Sequence, residues 1–177
     1  MLWLALRLPL LPLEVFPQQP SPSATIARER IVACDPLAAD GGVVPGMRLA
    51  DAWSLLPELT VQERDAERER RRLETLACWS GGFTSEVSLA QPDALLLEVA
   101  GSLRLFGGLD ALLARLLDGI AGQGHAACAA LAPTPRAALW LATAVEAGGC
   151  EVPRCLCVAD LRDALAMLPL DVLELDA

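Results

Sequence analysis

The chain has 177 residues, of which 54% are hydrophobic and 21% charged, enough apolar material for a buried core, and this excludes a disordered chain. Its 23 acidic residues against 14 basic ones give a net charge of −9, so the chain as a whole lacks the basic footprint of a nucleic-acid-binding domain. All 14 basic residues are arginine, and Lys, Asn and Tyr are absent. No physical need would remove all three, so this reads as the compositional bias of a GC-rich coding sequence.

The six cysteines lie mostly in apolar surroundings without the spacing of a small disulfide framework, which points to a reducing compartment. Cys150, Cys155 and Cys157 match no structural zinc spacing, so no metal is expected of them. Met1 to Phe16 is apolar but carries Arg7 and Glu14, with no basic leader and no small-residue cleavage site. No apolar run reaches the ~18 residues of a membrane span. The expectation is a cytoplasmic protein without membrane attachment.

In chain order, Leu2 to Leu8 reads as a strand stopped by Pro9 and Pro12, which cannot donate to a ladder. Gln18 to Ser23 is a Pro/Ser-rich loop, and Thr25 to Ala33 reads as one short strand with Ile26 and Val32 inward. Asp40-Gly41-Gly42 is a turn, and Leu49 to Leu56 a helix ended before Pro57. Gln62 to Trp79 reads as a charged helix with opposite-charge pairs Glu67/Arg71 and Arg70/Glu74. Its arginines are candidate phosphate contacts, Arg68, Arg71 and Arg72 above all. The interleaved Glu residues favour a plain solvated face.

Phe83 to Leu89 alternates as a half-buried strand that hairpins into Ala94–Ala100, which holds six apolar residues and Glu98 between a Pro-Asp turn and Gly101. That run reads as a strand buried on both faces. Leu109, Leu112, Leu113, Leu116, Leu117 and Ile120 recur at helical spacing and make an amphipathic helix ended by Gly122 and Gly124. His125 to Leu131 is a strand, and Pro135 to Ala147 a helix with Pro135 in its first turn. Val152 to Val158 is a short strand candidate. Asp160 to Met167 is a helix with Asp160 as N-cap, and Leu168 to Ala177 trails off. The order gives an α+β fold near the ferredoxin-like class, with helices on one face of a mixed sheet. The single histidine, His125, has no Ser or Cys partner in view and reads as a satisfied strand-edge residue. Trp3, Trp53, Trp79 and Trp140 read as core, the alternative being that an exposed one anchors a partner.

The segment Gly42-Val43-Val44-Pro45-Gly46-Met47, with Ala50 and Leu55-Leu56-Pro57 after it, resembles the fingers of Y-family (translesion) DNA polymerases. Phe83-Thr84, Leu97-Glu98-Val99 and Leu131-Ala132-Pro133-Thr134 continue the match. Leu2 to Leu6 and Leu105-Phe106-Gly107-Gly108 resemble the polymerase-like members carried in bacterial DNA-damage mutagenesis cassettes. The resemblance implies a Y-family palm with a small fingers subdomain: residues 1–16 as the first palm strand, 17–75 as fingers, 76–160 as the rest of the palm and 161–177 as the start of a truncated thumb.

Active members of that family place two acids on the first strand and an Asp-Glu pair before the central one. By the resemblance these positions fall at Leu6 and Leu8, and at Asp93 and Ala94. Glu98 cannot replace them, because an odd spacing of five puts it on the opposite face. The triphosphate-contacting Tyr and Arg fall at Pro36 and Ala39, the corresponding Lys at Leu139, and the sugar-gating aromatic at Leu11. One carboxylate of four remains, and two-ion phosphoryl transfer needs several. The resemblance therefore implies no cofactor, no metal and no catalysis. It implies a scaffold in damage-induced (SOS) mutagenesis that brings together an error-prone replicative-type polymerase, an ImuA partner and the sliding clamp, mainly through regions outside these residues, with weak DNA contact at most. A translesion polymerase with displaced ligands, for which Glu14 or Asp110 would have to join Asp93, and an interaction module unrelated to DNA are the alternatives.

Overall fold

The structure is a computed structural model that describes residues 1–17, 20–145, 152–169 and 172. In chain order its elements begin with β1 (Trp3–Arg7), α1 (Leu11–Glu14), β2 (Ser23–Ala27), β3 (Arg30–Cys34), α2 (Pro36–Asp40), α3 (Leu49–Leu55), β4 (Thr60–Glu63) and α4 (Ala66–Ser80). They continue with β5 (Val87–Ala90), β6 (Ala94–Glu98), α5 (Leu103–Phe106), α6 (Leu109–Gly122), β7 (Cys128–Ala132), α7 (Pro135–Ala144) and α8 (Leu161–Ala166). They group into two compact units, one formed by Met1–Leu8 with Leu73–Ala177 and the other by Pro9–Arg72.

The first unit is built on a four-stranded sheet in the order β5-β6-β1-β7. All of its pairings are antiparallel, and the register sets Leu4 opposite Leu97 and Leu131, and Leu6 opposite Leu95 and Ala129. Because side chains alternate along a strand, that register fixes two faces. Ala5, Ala130 and Ala132 meet Ala137, Ala138, Leu141 and Ala142 of α7 in one apolar cluster. The small residues let the helix lie close on the sheet. On the other face Leu4, Leu6, Leu95, Leu97 and Leu131 are fully buried, each contributing about 1.5–3 kcal/mol. The apolar run before Gly101 is therefore a strand buried on both sides, and β5 hairpins onto it.

The amphipathic stripe on α6 is real: Leu112, Leu113, Leu116 and Ile120 are buried. Gly119 interrupts it for a packing reason, since a Cβ there would lie 2.2 Å from the Trp79 ring. The helix α7 starts where Pro135 predicts, with the Thr134 side chain accepting from Ala137 N–H. It stops at Ala144 because Val145 is already extended; Glu146 and Ala147 lie outside the described residues.

The second unit carries a three-stranded sheet in the order β3-β2-β4, with β2 antiparallel to β3 and parallel to β4. Ala24, Ile26, Ile31, Val43, Leu49 and Leu59 are among its core residues.

Several sequence expectations are corrected. Thr25 to Ala33 is a hairpin, because the chain reverses at Arg28 and Glu29 with φ of 51° and 60°. Val32 is half-buried, and Ile31 is the inward residue. The stretch from Gln62 begins as strand β4. The helix starts only after Asp65, whose carboxylate accepts from Arg68 N–H at 2.9 Å. Phe83 lies outside β5 and is packed against the rings of Trp79 and Phe106, at 5.0 and 5.2 Å. His125 is buried before β7, which begins at Cys128. Val152 to Val158 forms a single bridge, Arg154 to Leu131. Asp160 makes no side-chain cap to α8; its carboxylate accepts from Cys157 Sγ at 2.9 Å instead. Most of Leu168 to Ala177 lies outside the described residues.

Candidate functional site

The sheet register brings the four positions of interest on the palm-like sheet together. Leu6 and Leu8 are fully buried, and so is Ala94, which opens β6 directly across from Arg7. Asp93 stands one residue before the strand. Its carbonyl accepts from Leu8 N–H at 2.8 Å, and its Oδ2 accepts from Arg7 Nε at 3.1 Å. The pair is mostly sheltered, with side chains 29% and 21% exposed. Sequence reasoning missed Arg7 as a partner. The one signal was its place as the lone charge in an apolar strand.

Arg7 and Asp93 line a cavity of about 110 Å³ together with Leu139, Trp140 and Thr143. Leu139 thus stands at the same cavity as Asp93. The Trp140 ring carries the Arg136 guanidinium above it, 5.9 Å from the centroid. Glu98 closes the far end of β6, accepting from Leu2 N–H at 2.9 Å and Ala100 N–H at 3.3 Å. Asp110 is held by Arg154 at 2.7 Å.

A two-ion centre needs several carboxylate oxygens around ions ~4 Å apart, and Mg²⁺ demands near-octahedral oxygen coordination. At these four positions, among the described residues, there is one carboxylate, Asp93, already matched by a guanidinium, beside three buried apolar side chains. These residues do not fit such a centre. Among the described residues no three His, Cys, Asp or Glu side chains come close enough to hold a metal ion.

In the second unit, Leu11 is fully buried, while Pro36 and Ala39 lie exposed on α2. Its arginines on α4 are engaged locally. Arg71 Nε lies 2.9 Å from Glu67 Oε1, and Arg70 Nη2 lies 2.8 Å from the same oxygen. Hydrogen bonds from Arg70 and Arg71 pull the Glu67 carboxyl down to about 2. Arg68 lies 3.7 Å from Asp65 and stacks 5.2 Å over the Phe16 ring. Arg72 is half-buried and engaged as well. The helix face is neutralised by its own carboxylates.

The cysteines at positions 34, 78, 128, 155 and 157 are free thiols. Burial, then the nearby Asp160 charge, pushes the Cys155 thiol up. Its Sγ donates to Cys157 O at 3.3 Å, the bonding of protonated thiols. Cys150 lies outside the described residues. No described helix is long and apolar enough to cross a membrane.

Comparison with known proteins places this geometry. Residues 8–143 match the impB/mucB/samB family. Protein ImuB of Caulobacter vibrioides, in two strains, is 38% identical over 101 residues, which cover 57% of this chain and 22% of that protein. The matched part is thus about a fifth of the length of these curated relatives. Among solved structures, a post-insertion binary complex of Dbh DNA polymerase superposes with a TM-score of 0.78 at 15% identity, covering 97% of this chain and 53% of the polymerase. DinB from Sulfolobus solfataricus gives 0.71 at 16% identity with the same coverage. Identities this low establish the fold alone. Fold and family match together: the chain belongs to the impB/mucB/samB family and has the fold of Y-family DNA polymerases.

Proposed function

We propose that this chain is the palm and fingers portion of a non-catalytic, polymerase-like scaffold in DNA-damage-induced mutagenesis. The unit on the β5-β6-β1-β7 sheet is taken as the palm, and the unit Pro9–Arg72 as the fingers. The observation that carries this reading is the Arg7–Asp93 ion pair. The one acid remaining at the positions that resemble a metal site is matched by an internal cation, beside buried Leu6, Leu8 and Ala94.

An arginine there supplies the positive charge that an ion would otherwise bring to Asp93, but it offers no oxygen to an incoming nucleotide. Leu139 likewise gives no charge toward a triphosphate. The likeness to ImuB supports a role in which the protein holds other proteins at lesions: an error-prone replicative-type polymerase, an ImuA partner and the sliding clamp, through surfaces mainly beyond these residues. Asp110, held by Arg154, does not favour the reading as an active polymerase.

The test is primer extension. Purified protein given a primed template, nucleotides and Mg²⁺ is expected to extend no more primer than a mock preparation. Mg²⁺-dependent extension that disappears in Asp93→Asn overturns the proposal.

A further inference from the structure

Three aliphatic side chains of the Pro9–Arg72 unit stand out of its core at one corner. Leu37 on α2, Val44 after it and Leu55 on α3 are 58%, 52% and 54% exposed. The backbone brings them together. Gly41 N–H donates to Leu37 O at 3.1 Å, Gly42 N–H to Ala39 O at 2.9 Å and Val43 N–H to Ala38 O at 3.0 Å. The chain thus folds back on the end of α2, through Gly42 at a φ of 89°, and carries Val44 along it. A Cβ on Gly41 would lie 3.1 Å from Leu56 Cδ2, and one on Gly42 3.7 Å from Leu55 Cδ1. The two glycines let the end of α3 approach the end of α2. Leu37 and Gly41 are four positions apart and share a helix face, so Leu37 stands over the same contact. Half-buried Leu56, packed against the core, forms its floor.

Trp53 belongs to a different surface. It is 44% exposed rather than core, lies roughly 200° around α3 from Leu55, and its Nε1 donates to Leu59 O at 3.2 Å. The rim of the Leu37–Leu55 corner is acidic. Asp40 ends α2, Asp51 lies one turn before Leu55 on the same face of α3, and Glu58 follows α3. All three are exposed. Among the described residues none of them forms an ion pair, in contrast to Asp65, Glu67 and Glu69 of the same unit. Arg48 stands at the opposite end of α3, where it lines a concavity with Arg28 and Arg30.

We propose that this corner docks an amphipathic helix of a partner protein, with aliphatic anchors on one face and lysines or arginines beside them. Contiguous exposed apolar side chains inside a polar rim mark protein contacts. Two helix ends and a turn offer no strand edge to extend, whereas a helix presents anchors at i, i+3 and i+4 to such a hollow. The uncompensated carboxylates select a basic partner by complementarity. They also disfavour a second copy of this chain, which would bring the same three carboxylates and a net charge of −9 against them. Anionic lipid and nucleic acid are disfavoured by the same repulsion. The inference rests on this surface and not on the absence of catalysis, so its test and the primer-extension test fail independently.

The experiment is fluorescence anisotropy of a labelled helical peptide titrated with the protein at several salt concentrations. The peptide carries leucines at i, i+3, i+4 and i+7 and lysines on both flanks. It is expected to bind, and the same peptide with glutamate for lysine is not. Leu37→Ser/Leu55→Ser is expected to bind at least about tenfold more weakly, through the loss of two apolar anchors. Asp40→Asn/Asp51→Asn/Glu58→Gln is expected to bind about tenfold more weakly at low salt and to lose most of the salt dependence. Glu86→Gln/Asp118→Asn/Asp163→Asn removes the same charge at exposed positions of the other unit and is expected to bind as the unaltered chain does. Thermal melts of each variant separate lost docking from lost fold. The proposal is overturned if the lysine peptide does not bind, or if the Leu37/Leu55 variant melts normally and binds as before. It is equally overturned if the distant charge changes weaken binding as much as those on the rim, or if sedimentation shows a dimer that Leu37→Ser/Leu55→Ser dissociates.

Discussion

Arg7 and Asp93, 86 positions apart in the chain, are joined by a 3.1 Å hydrogen bond between Nε and Oδ2. The antiparallel register of β1 on β6 makes this contact, by setting Arg7 across from Ala94. A residue of the first strand thereby occupies the neighbourhood of the one acid remaining at the metal-like positions.

Removing either partner takes the ion pair away from a mostly sheltered charge. Arg7→Ala and Asp93→Ala are each expected to lower stability by about 1–2 kcal/mol, between the values for exposed and fully buried pairs. The double variant is expected to lose less than the sum, because the two share one interaction. Urea denaturation of the four proteins measures this, and strictly additive losses would show that the pair is not coupled.

A second ion pair is predicted to matter more. Glu69 is 2% exposed, and Arg64 grips both its oxygens, Nε to Oε1 at 2.8 Å and Nη2 to Oε2 at 2.7 Å. Arg64→Met strands a buried carboxylate and is expected to cost about 3 kcal/mol or more. Arg71→Met, on the exposed face of the same helix, is expected to cost less than about 1 kcal/mol. Equal denaturation midpoints for the two variants would contradict this contrast.

Asp35 ties β2 to α2. Its carboxylate accepts from Ser21 Oγ, from Ser23 N–H at 2.9 Å and Oγ at 3.0 Å, and from Ala38 N–H at 2.8 Å. Burial raises this carboxyl, but the hydrogen bonds from Ser21, Ala38 and Ser23 outweigh it and hold the pKa below the ordinary 3.8. A depressed carboxyl contributes stability that is complete above its unfolded-state pKa and lost as pH falls through the folded value. Asp35→Ala is expected to cost about 1–2 kcal/mol at neutral pH and less on acidification toward the folded-state pKa. A variant deficit that stays constant as the pH is lowered would exclude the linkage.

The parts of the fold with strong local signals were legible in the sequence. The continuous apolar run of β6 and the helical stripe of α6 declare themselves, because burial on both faces or on one leaves a periodic imprint. Pro135 after Thr134 marked the start of α7 through the fixed φ of proline. The β2–β3 hairpin was not legible, since its reversal at Arg28-Glu29 uses residues that carry no turn signal and is held by the strands it joins.

The candidate site divides in the same way. Asp93 and its apolar companions were readable as residue types, but the Arg7 contact depends on strand register, which no local pattern carries. The exposed aliphatic corner was invisible for a related reason. Leu37 and Leu55 come together only because Gly41 and Gly42 let the ends of α2 and α3 approach. The clustered arginines near position 70 drew attention in the sequence, yet proximity to Glu67 and Asp65 neutralises them.

Whether the β5-β6-β1-β7 sheet holds catalytic ions is tested most directly by titration with Mn²⁺ followed by electron paramagnetic resonance. The expected spectrum is that of free aqueous Mn²⁺ with weak surface association, unchanged by Asp93→Asn. A stoichiometric bound signal that disappears in Asp93→Asn would show that the sheet does hold a catalytic-type ion.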